Sequence, residues 1–407
     1  MKAFILAAGQ GTRMRPLTVN TPKPLIPVAG KPIIQHTIDN LKTMVDEIVI
    51  LVGYNGKRIK KNINEDEIKI SYAKQDEQLG TADAVSKAEK FIDEDFLCIN
   101  GDVIVFRSIL ERFVEYFKSV DSSVLGSVEV DDPESYGVVK MDGEQVIDIL
   151  EKPRCPPSNL INAGVYGFTP EIFDAIENTD RSPRGEYEIT DSLKILMDEN
   201  KLRGFTLKKN SWNELSRPWD LLSVNKNILE NTDIEERRDG KIEEGVHLEG
   251  WVSVEEGAVI KRGSYIKGPV YIGKNADIGP NCLIRPCTHV GNNCKVGSAV
   301  EVKNTIIMDD SNVPHHNYVG DSVIGMNCNF GSGTKVANLR LDGKNIVVSH
   351  RGKLMSTGRR KLGVIMGDNV KTGINSMINT GTIIGNNALI GPGALADGEI
   401  GEGSRIK

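Results

Sequence analysis

Two hydrophobic rhythms divide the 407-residue chain. In the first half, short apolar runs alternate with longer mixed segments. The runs are AFILA (3–7), EIVILVGY (47–54), FLCING (96–101) and SSVLGSV (122–128). Between them, stretches such as PIIQHTIDNLKTM and TADAVSKAEKFI repeat apolar residues near i, i+3 and i+4. Runs of that length suit buried strands, and the spacing suits amphipathic helices. The alternation predicts an α/β, Rossmann-like domain with a mostly parallel sheet covered by helices, and ligands outside the carboxyl ends of its strands. Helical spacing returns from Trp219 to about Glu235, through Leu221, Leu222, Asn225, Ile228 and Leu229, and the charge run IEERRDGKIEEG reads as a solvated linker.

Beyond it the rhythm becomes six. Ile272, Ile278, Ile284, Val290, Val296 and Val302 are all aliphatic, and a second block holds Met366, Thr372, Ile378, Ile384, Ile390 and Ala396. Gly often follows, as at Gly273, Gly279, Gly291, Gly297, Gly367, Gly373, Gly385 and Gly391. A fixed six-residue period is that of a parallel β-helix, in which each short strand buries one aliphatic side chain and three strands close one coil. The boundaries that follow are 1–218, a helical linker 219–244, and a β-helix over 245–407.

The register also accounts for three of the six cysteines. Cys282, Cys294 and Cys328 fall four residues after an aliphatic key position, where Ala276, Ala388 and Ala394 stand in other repeats. The slot takes a small residue, and Cys serves as one. Composition narrows the class further. Net charge is −6, which disfavours a generic nucleic-acid binder, and no apolar run nears the roughly 20 residues of a membrane span. MKAFILAAGQG is too short in its apolar part for a signal peptide and reads as a first buried strand, so a cytoplasmic protein is expected.

Candidate chemistry gathers at the predicted strand ends. The first strand runs into Gly9-Gln10-Gly11-Thr12-Arg13. Two glycines allow close backbone approach to a phosphate, and Arg13 adds a guanidinium. Lys23 stands between Pro22 and Pro24, which stiffen the chain around it. Asp102 follows FLCING at the end of a strand, where Mg²⁺ on a triphosphate would sit. The ordered strings LAAGQGTRM, PKPLIPVAGKPII, QDEQLGTADAV, NGD, YGVV, EKP, INAGVY and GEYEITD resemble those of sugar-1-phosphate nucleotidylyltransferases over about residues 1–225.

That resemblance implies roles for single residues. Leu6, Ala8, Gly9, Gly11, Thr12, Arg13 and Lys23 would hold the nucleotide and its triphosphate, with Arg13 and Lys23 acting on the reacting phosphates. Gln75, Gln78, Gly80 and Thr81 would read the base, and QLGT is most similar to enzymes that use UTP or dTTP. Gly137, Glu151, Asn162 and Tyr187 would surround the sugar. Asp102 would bind Mg²⁺. Relatives often draw a second metal carboxylate from Trp-x-Asp-x-Gly, and here Trp212-Asn213-Glu214-Leu215-Ser216 offers Glu214, with Asp220 in competition. The implied reaction is attack of the sugar phosphate oxygen on the α-phosphorus with in-line loss of pyrophosphate, a chemistry of alignment and charge.

In the second half, Pro314-His315-His316-Asn317-Tyr318-Val319-Gly320-Asp321 resembles the acetyltransferase segment of bifunctional N-acetylglucosamine-1-phosphate uridylyltransferases. The resemblance implies a left-handed β-helix, His315 as general base, and Tyr318, Asn338 and Lys361 as holders of the sugar phosphate, with Pro314 replacing the family's Asn. It also implies homotrimers. The chain ends at Lys407 without a basic tail that some bacterial relatives use for acetyl-CoA, so Gly391 and Pro392, or the interruption of the repeat over about 336–364, are expected to supply that contact. The interruption holds His350, Arg351, Lys353, Arg359, Arg360 and Lys361, read either as an anion site or as an exposed loop.

Three functional readings stand at this point. One is a bifunctional enzyme that acetylates glucosamine 1-phosphate and couples the product to UTP. Another is a glucose-1-phosphate thymidylyltransferase or mannose-1-phosphate guanylyltransferase whose β-helix serves assembly. The third is a non-enzymatic scaffold like some initiation-factor subunits, against which the intact Gly9, Gly11, Arg13, Lys23 and Asp102 argue.

Overall fold

The computed structural model describes residues 1–407 apart from 54, 64 and 232–235, together with the side chain of Asn231. The expected strand end at Tyr54 and helix end at Glu235 therefore lie outside the described residues. The Cα packing forms two compact units. The first holds 1–10, 22–25 and 32–214; the second holds 11–21, 26–31 and 215–407.

The first unit is built on a nine-stranded sheet. Its strands are β1 (Lys2–Ala7), β2 (Glu47–Val52), β3 (Lys69–Lys74), β4 (Phe96–Asn100), β6 (Ser123–Glu129), β7 (Gly137–Asp142), β8 (Gln145–Glu151), β9 (Leu160–Phe168) and β10 (Leu202–Thr206). A two-stranded ribbon pairs β5 (Val103–Val105) with β11 (Trp212–Glu214). The sheet order is β3-β2-β1-β4-β9-β6-β10-β8-β7. It is mixed: β3, β2, β1 and β4 run parallel, and β9 enters antiparallel to both β4 and β6.

The period of two along β1 explains how the sheet is covered. Ala3, Ile5 and Ala7 join one buried cluster with Ile34, Ile38 and Leu41 of α1 (Ile33–Leu41) and Ile109, Phe113 and Phe117 of α3 (Arg107–Ser119). Phe4 and Ala8 join the opposite cluster with Val85 of α2 (Thr81–Ser86) and Leu193 and Leu196 of α4 (Ile189–Asp198). Both faces are closed by helices, so only strand ends are open to ligands.

The second unit is a three-sided parallel β-helix of the left-handed hexapeptide kind. Its strands stack as three sheets, each rung pairing in parallel with the rung about eighteen residues away, as Ile260 does with Ile278 and Ile278 with Val296. The six-residue key positions of both blocks are buried. Cys282, Cys294 and Cys328 line the same interior. Burial pushes the Cys294 and Cys328 thiols up to about 12, which suits inert packing atoms.

Besides the insertion, the period slips in three places, one of them the four-residue step from Ala396 to Ile400, whose side chains both stay in the core. Val302 to Ile307 and Val319 to Ile324 are five-residue steps, and all four side chains still point into the core. The corners so shortened carry Asn304 and Asp321, both in the left-handed region, at φ 44° and 51°. The interruption of the repeat is a formed hairpin of β12 (Val347–His350) and β13 (Lys353–Ser356). Its basic residues are not one exposed cluster. His350 is only 2% exposed, and Arg359 turns inward to the Ser223 hydroxyl at 2.5 Å, on α5 (Asp220–Asn231).

Stacking at 18-residue intervals leaves no room for side chains where corners approach. A methyl group at Gly297 would overlap the carbonyl oxygen of Pro314 one coil away, whereas at Gly401 it would meet only the Ser404 hydroxyl at 3.5 Å. Gly297→Ala should therefore cost about 3 kcal/mol or more, and Gly401→Ala no more than about 0.5. Denaturant midpoints of the full chain measure both.

Candidate active sites

At the carboxyl edge of the first sheet, strand register gathers the predicted nucleotide residues. Leu6 pairs with Leu51 on one side and Asn100 on the other, so the loops after β1 and β4 leave the same edge. The Gly101 N–H donates to the Leu6 carbonyl at 2.9 Å, and a Cβ at Gly101 would stand 2.7 Å from that oxygen. Asp102 is thus held beside β1, and Lys23 Nζ donates to its Oδ2 at 2.5 Å. Around Gly9 no atom would lie within 4 Å of an added Cβ, which leaves its backbone approachable. The loop is divided between the units: Gly9 belongs to the first, while Gly11, Thr12 and Arg13 belong to the second. There Gly11 adopts φ 62°, and Thr12–Met14 form a short turn of helix. Arg13 is exposed.

The residues expected to read the base are each fixed by local contacts. Gln78 Nε2 donates to the Ala8 carbonyl at 3.0 Å, and Gln75 Nε2 to Asp83 at 2.8 Å. Gly80 takes φ 127° and runs against the backbone of Tyr187. The two segments are laced together: Tyr187 N donates to Leu79 O (2.8 Å), Ala82 N to Tyr187 O (2.9 Å) and Ile189 N to Thr81 Oγ1 (2.9 Å). Tyr187 also lies 5.2 Å from the Arg181 guanidinium.

Of the residues expected to surround the sugar, Gly137, Glu151 and Asn162 meet beside Thr190, while Tyr187 is held by the 79–82 segment. Gly137 pairs with Glu151, and a Cβ there would press on Thr190 and stand 3.2 Å from Glu151 Oε2. Asn162 Oδ1 accepts the Gly164 N–H at 2.9 Å. Arg184, missed by the sequence reading, donates through Nη2 to Glu151 and to the buried Glu188. Its neighbours in GEYEITD were recognised, but nothing in the string marks the residue before them.

Asp102 and Glu214, the carboxylates expected to hold a cation, are brought near one another by strand pairing. The antiparallel pairing of β5 with β11 sets Glu214 opposite Val103, next to Asp102. Asp220 instead caps a turn. Its Oδ2 accepts the Ser216 and Arg217 N–H groups at 3.0 and 2.6 Å, closing the chain just before α5. Two carboxylate donors suit Mg²⁺, which takes its remaining ligands from phosphates and water.

In the β-helix, a hydrogen-bonded cluster that includes the expected Tyr318 and Asn338 gathers around Asp321. That residue is 3% exposed and sits in a shortened corner. Its Oδ2 accepts Lys303 Nζ at 2.9 Å and Asn338 Nδ2 at 2.6 Å, and its Oδ1 accepts Asn304 Nδ2 at 2.8 Å. Asn338 also donates to the Tyr318 hydroxyl at 3.2 Å. Burial lowers the Arg359 guanidinium's pKa, opposed by the charge of Asp321. Lys361 is exposed and bridges to Leu339, beside Asn338. His315 ends the strand Asn312–His315 one corner before Tyr318, and its ring is exposed. The sequence reading named Tyr318, Asn338, Lys361 and His315 as candidates. It missed Lys303 and Asn304, which the 18-residue coil period would have placed beneath Asp321. Gly391 and Pro392 lie three coils from Pro314, about 14 Å at the usual strand spacing.

Residues 2–231 match the nucleotidyl transferase family, 266–358 match the GMPPB C-terminal domain, and 363–395 match the bacterial transferase hexapeptide family of six repeats. The chain is 50% identical to the bifunctional protein GlmU of Methanocaldococcus jannaschii, over 98% of this chain and 96% of that one. It is 40% identical to a bifunctional sugar-1-phosphate nucleotidylyltransferase/acetyltransferase of Sulfurisphaera tokodaii, covering both chains fully. A low-salt glycan biosynthesis nucleotidyltransferase of Haloferax volcanii, Agl11, is 36% identical over 87% of this chain and 99% of its own. A nucleotidyltransferase sheet joined to hexapeptide coils defines the class. Within that class, the chain belongs to the family of bifunctional sugar-1-phosphate nucleotidylyltransferase/acetyltransferases.

Asp321→Asn keeps the shape of the cluster but removes the charge that Lys303 faces. Losing one member of such a buried charged pair costs roughly 2–5 kcal/mol. Thiol release from acetyl-CoA should therefore fall at least about 30-fold, with pyrophosphate release retained, when both are followed on the same preparation.

Proposed function

We propose that the chain acetylates glucosamine 1-phosphate from acetyl-CoA and then couples the product to UTP, releasing pyrophosphate and forming UDP-N-acetylglucosamine. The Asp321 cluster beside His315 carries this reading. A β-helix used only for assembly has no need of a buried carboxylate that organises Lys303, Asn304, Asn338 and, through it, Tyr318. Monofunctional thymidylyl or guanylyl transfer leaves that arrangement unused.

For acetyl transfer, His315 takes a proton from the sugar ammonium. The freed amine attacks the thioester carbonyl, the carbon–sulfur bond breaks, and the thiol leaves with a proton. Tyr318, Asn338 and Lys361 hold the sugar phosphate, and Gly391 and Pro392 contact acetyl-CoA. For nucleotidyl transfer, Arg13 and Lys23 neutralise charge on the triphosphate, while the backbone at Gly9 and Gly11 receives its oxygens. Leu6, Ala8, Thr12, Gln75, Gln78, Gly80 and Thr81 frame the nucleotide. Gly137, Glu151, Asn162 and Tyr187 frame the sugar. Asp102 and Glu214 would hold Mg²⁺, which supplies charge neutralisation on the phosphates when bound.

The assembly we propose is a cytoplasmic homotrimer. Supporting an oligomer, Ile374, Met377 and Leu395 are 58%, 47% and 55% exposed on the β-helix. Among the described residues no helix is long and apolar enough to cross a membrane.

The test supplies glucosamine 1-phosphate and acetyl-CoA without nucleotide and follows free thiol. The native chain should release it, and His315→Ala should lose about 100-fold or more. Asp102→Asn should keep thiol release and lose pyrophosphate release from N-acetylglucosamine 1-phosphate and UTP. Thiol release that survives His315→Ala removes His315 as the base. No release from the native chain favours the monofunctional reading.

A further inference from the structure

The loop that carries Arg13 packs within the C-terminal unit, against side chains to which no role has yet been given. His350, at the end of β12, lies with its Nε2 2.9 Å from the carbonyl oxygen of Arg15. A carbonyl only accepts, so Nε2 carries the proton. His350 Nδ1 is buried without a hydrogen-bond partner, and the ring stands edge-on to Trp219 at 5.9 Å. Burial lowers the pKa of this imidazole, with Arg217 and Arg351 adding to the effect, so the neutral donor form is favoured.

Further anchors lie along the same loop. Asn20 Nδ2 donates to Asp368 Oδ2 at 3.0 Å. Asp368 is itself fixed, because its Oδ1 accepts the Met326 N–H at 2.9 Å and its own N–H donates to Asn386 at 2.9 Å. Pro16 lies over Gly367, where an added Cβ would stand 3.1 Å from the Pro16 Cβ. Within the loop, the Thr18 hydroxyl closes onto the Gly11 carbonyl at 2.7 Å, and Met14 N donates to the same oxygen at 2.9 Å. The backbone on the far side of Arg13 is therefore held at Arg15, Pro16 and Asn20 by the hairpin and the coils. Burying His350 and Asp368 removes two polar groups from water, a cost offset by hydrogen bonds that include those to this loop.

We propose that His350 and Asp368 are positioning residues for nucleotidyl transfer, which act through the backbone of residues 11–21 to set Arg13 for the triphosphate. The β-helix thereby serves both reactions. This rests on the reading of Gly11 and Arg13 as triphosphate-binding residues.

The full chain is assayed for pyrophosphate release from N-acetylglucosamine 1-phosphate and UTP, with thiol release followed in parallel. His350→Ala should raise the KM for UTP about tenfold, the worth of one hydrogen bond to a buried group. The KM for the sugar phosphate and the thiol-release rate should stay within about twofold. His350→Gln, which keeps an N–H donor at similar reach, should recover most of the loss. Asn20→Ala, at a residue away from the core, should raise the UTP KM in the same direction. Unchanged UTP kinetics in both His350→Ala and Asn20→Ala, with Arg13→Ala impaired, overturn the inference alone. A parallel fall of both activities that Gln does not rescue also overturns it, since that marks a structural role. If Arg13→Ala leaves the UTP KM unchanged, the triphosphate reading fails and this inference with it.

Discussion

The closure of each coil governs the second half of the protein. Three strands and three corners must return the chain above its starting point, so each strand is allowed one inward aliphatic and each corner a fixed length. Ile260, Ile278 and Val296 follow that requirement without exception. At Asn304 and Asp321 the corner loses one residue and the backbone is left-handed, as it also is at the six-residue corners of Asn275, Asn293 and Asp310. Across the shortened corners Lys303 and Asn304 donate to Asp321, as Asn293 donates to Asp310 across corners of full length.

The first half reaches its sites by a different constraint. With both faces of the sheet closed by helices, the strand ends alone can accept a ligand. Parallel register between β1 and β4 brings the loops after Ala7 and Asn100 to one edge, and Lys23 can then meet Asp102. Interactions so placed act on charge and alignment, as a phosphorus-centred substitution requires. Hydrogen bonds also lace residues 79–82 to 187–189, which ties two separate segments of the first unit together.

Much of this was legible in the residues. The period of six located the coils and the interior cysteine slot, and the alternation of apolar runs with helical spacing indicated a sheet covered by helices. Less was legible where contacts cross long sequence distances. No periodicity announces that β9 enters antiparallel, since direction depends on which strands neighbour one another. Arg184 reaches Glu151 across 33 positions, and Asn20 reaches Asp368 across 348. The insertion shows the same limit most clearly. Its basic composition indicated an exposed or anion-binding segment, yet His350 and Arg359 are turned inward by packing that composition does not encode.

The central claim is that two reactions run in sequence on one chain, the acetylated sugar phosphate being the acceptor for the nucleotide. One measurement tests it most directly: pyrophosphate release from UTP with glucosamine 1-phosphate as the only sugar, with and without acetyl-CoA. The account predicts release only when acetyl-CoA is present, after a lag in which free thiol appears first, and no such requirement when N-acetylglucosamine 1-phosphate is supplied instead. Equal pyrophosphate release without acetyl-CoA would contradict it, because the acceptor would then need no acetylation and the β-helix site would stand outside the reaction.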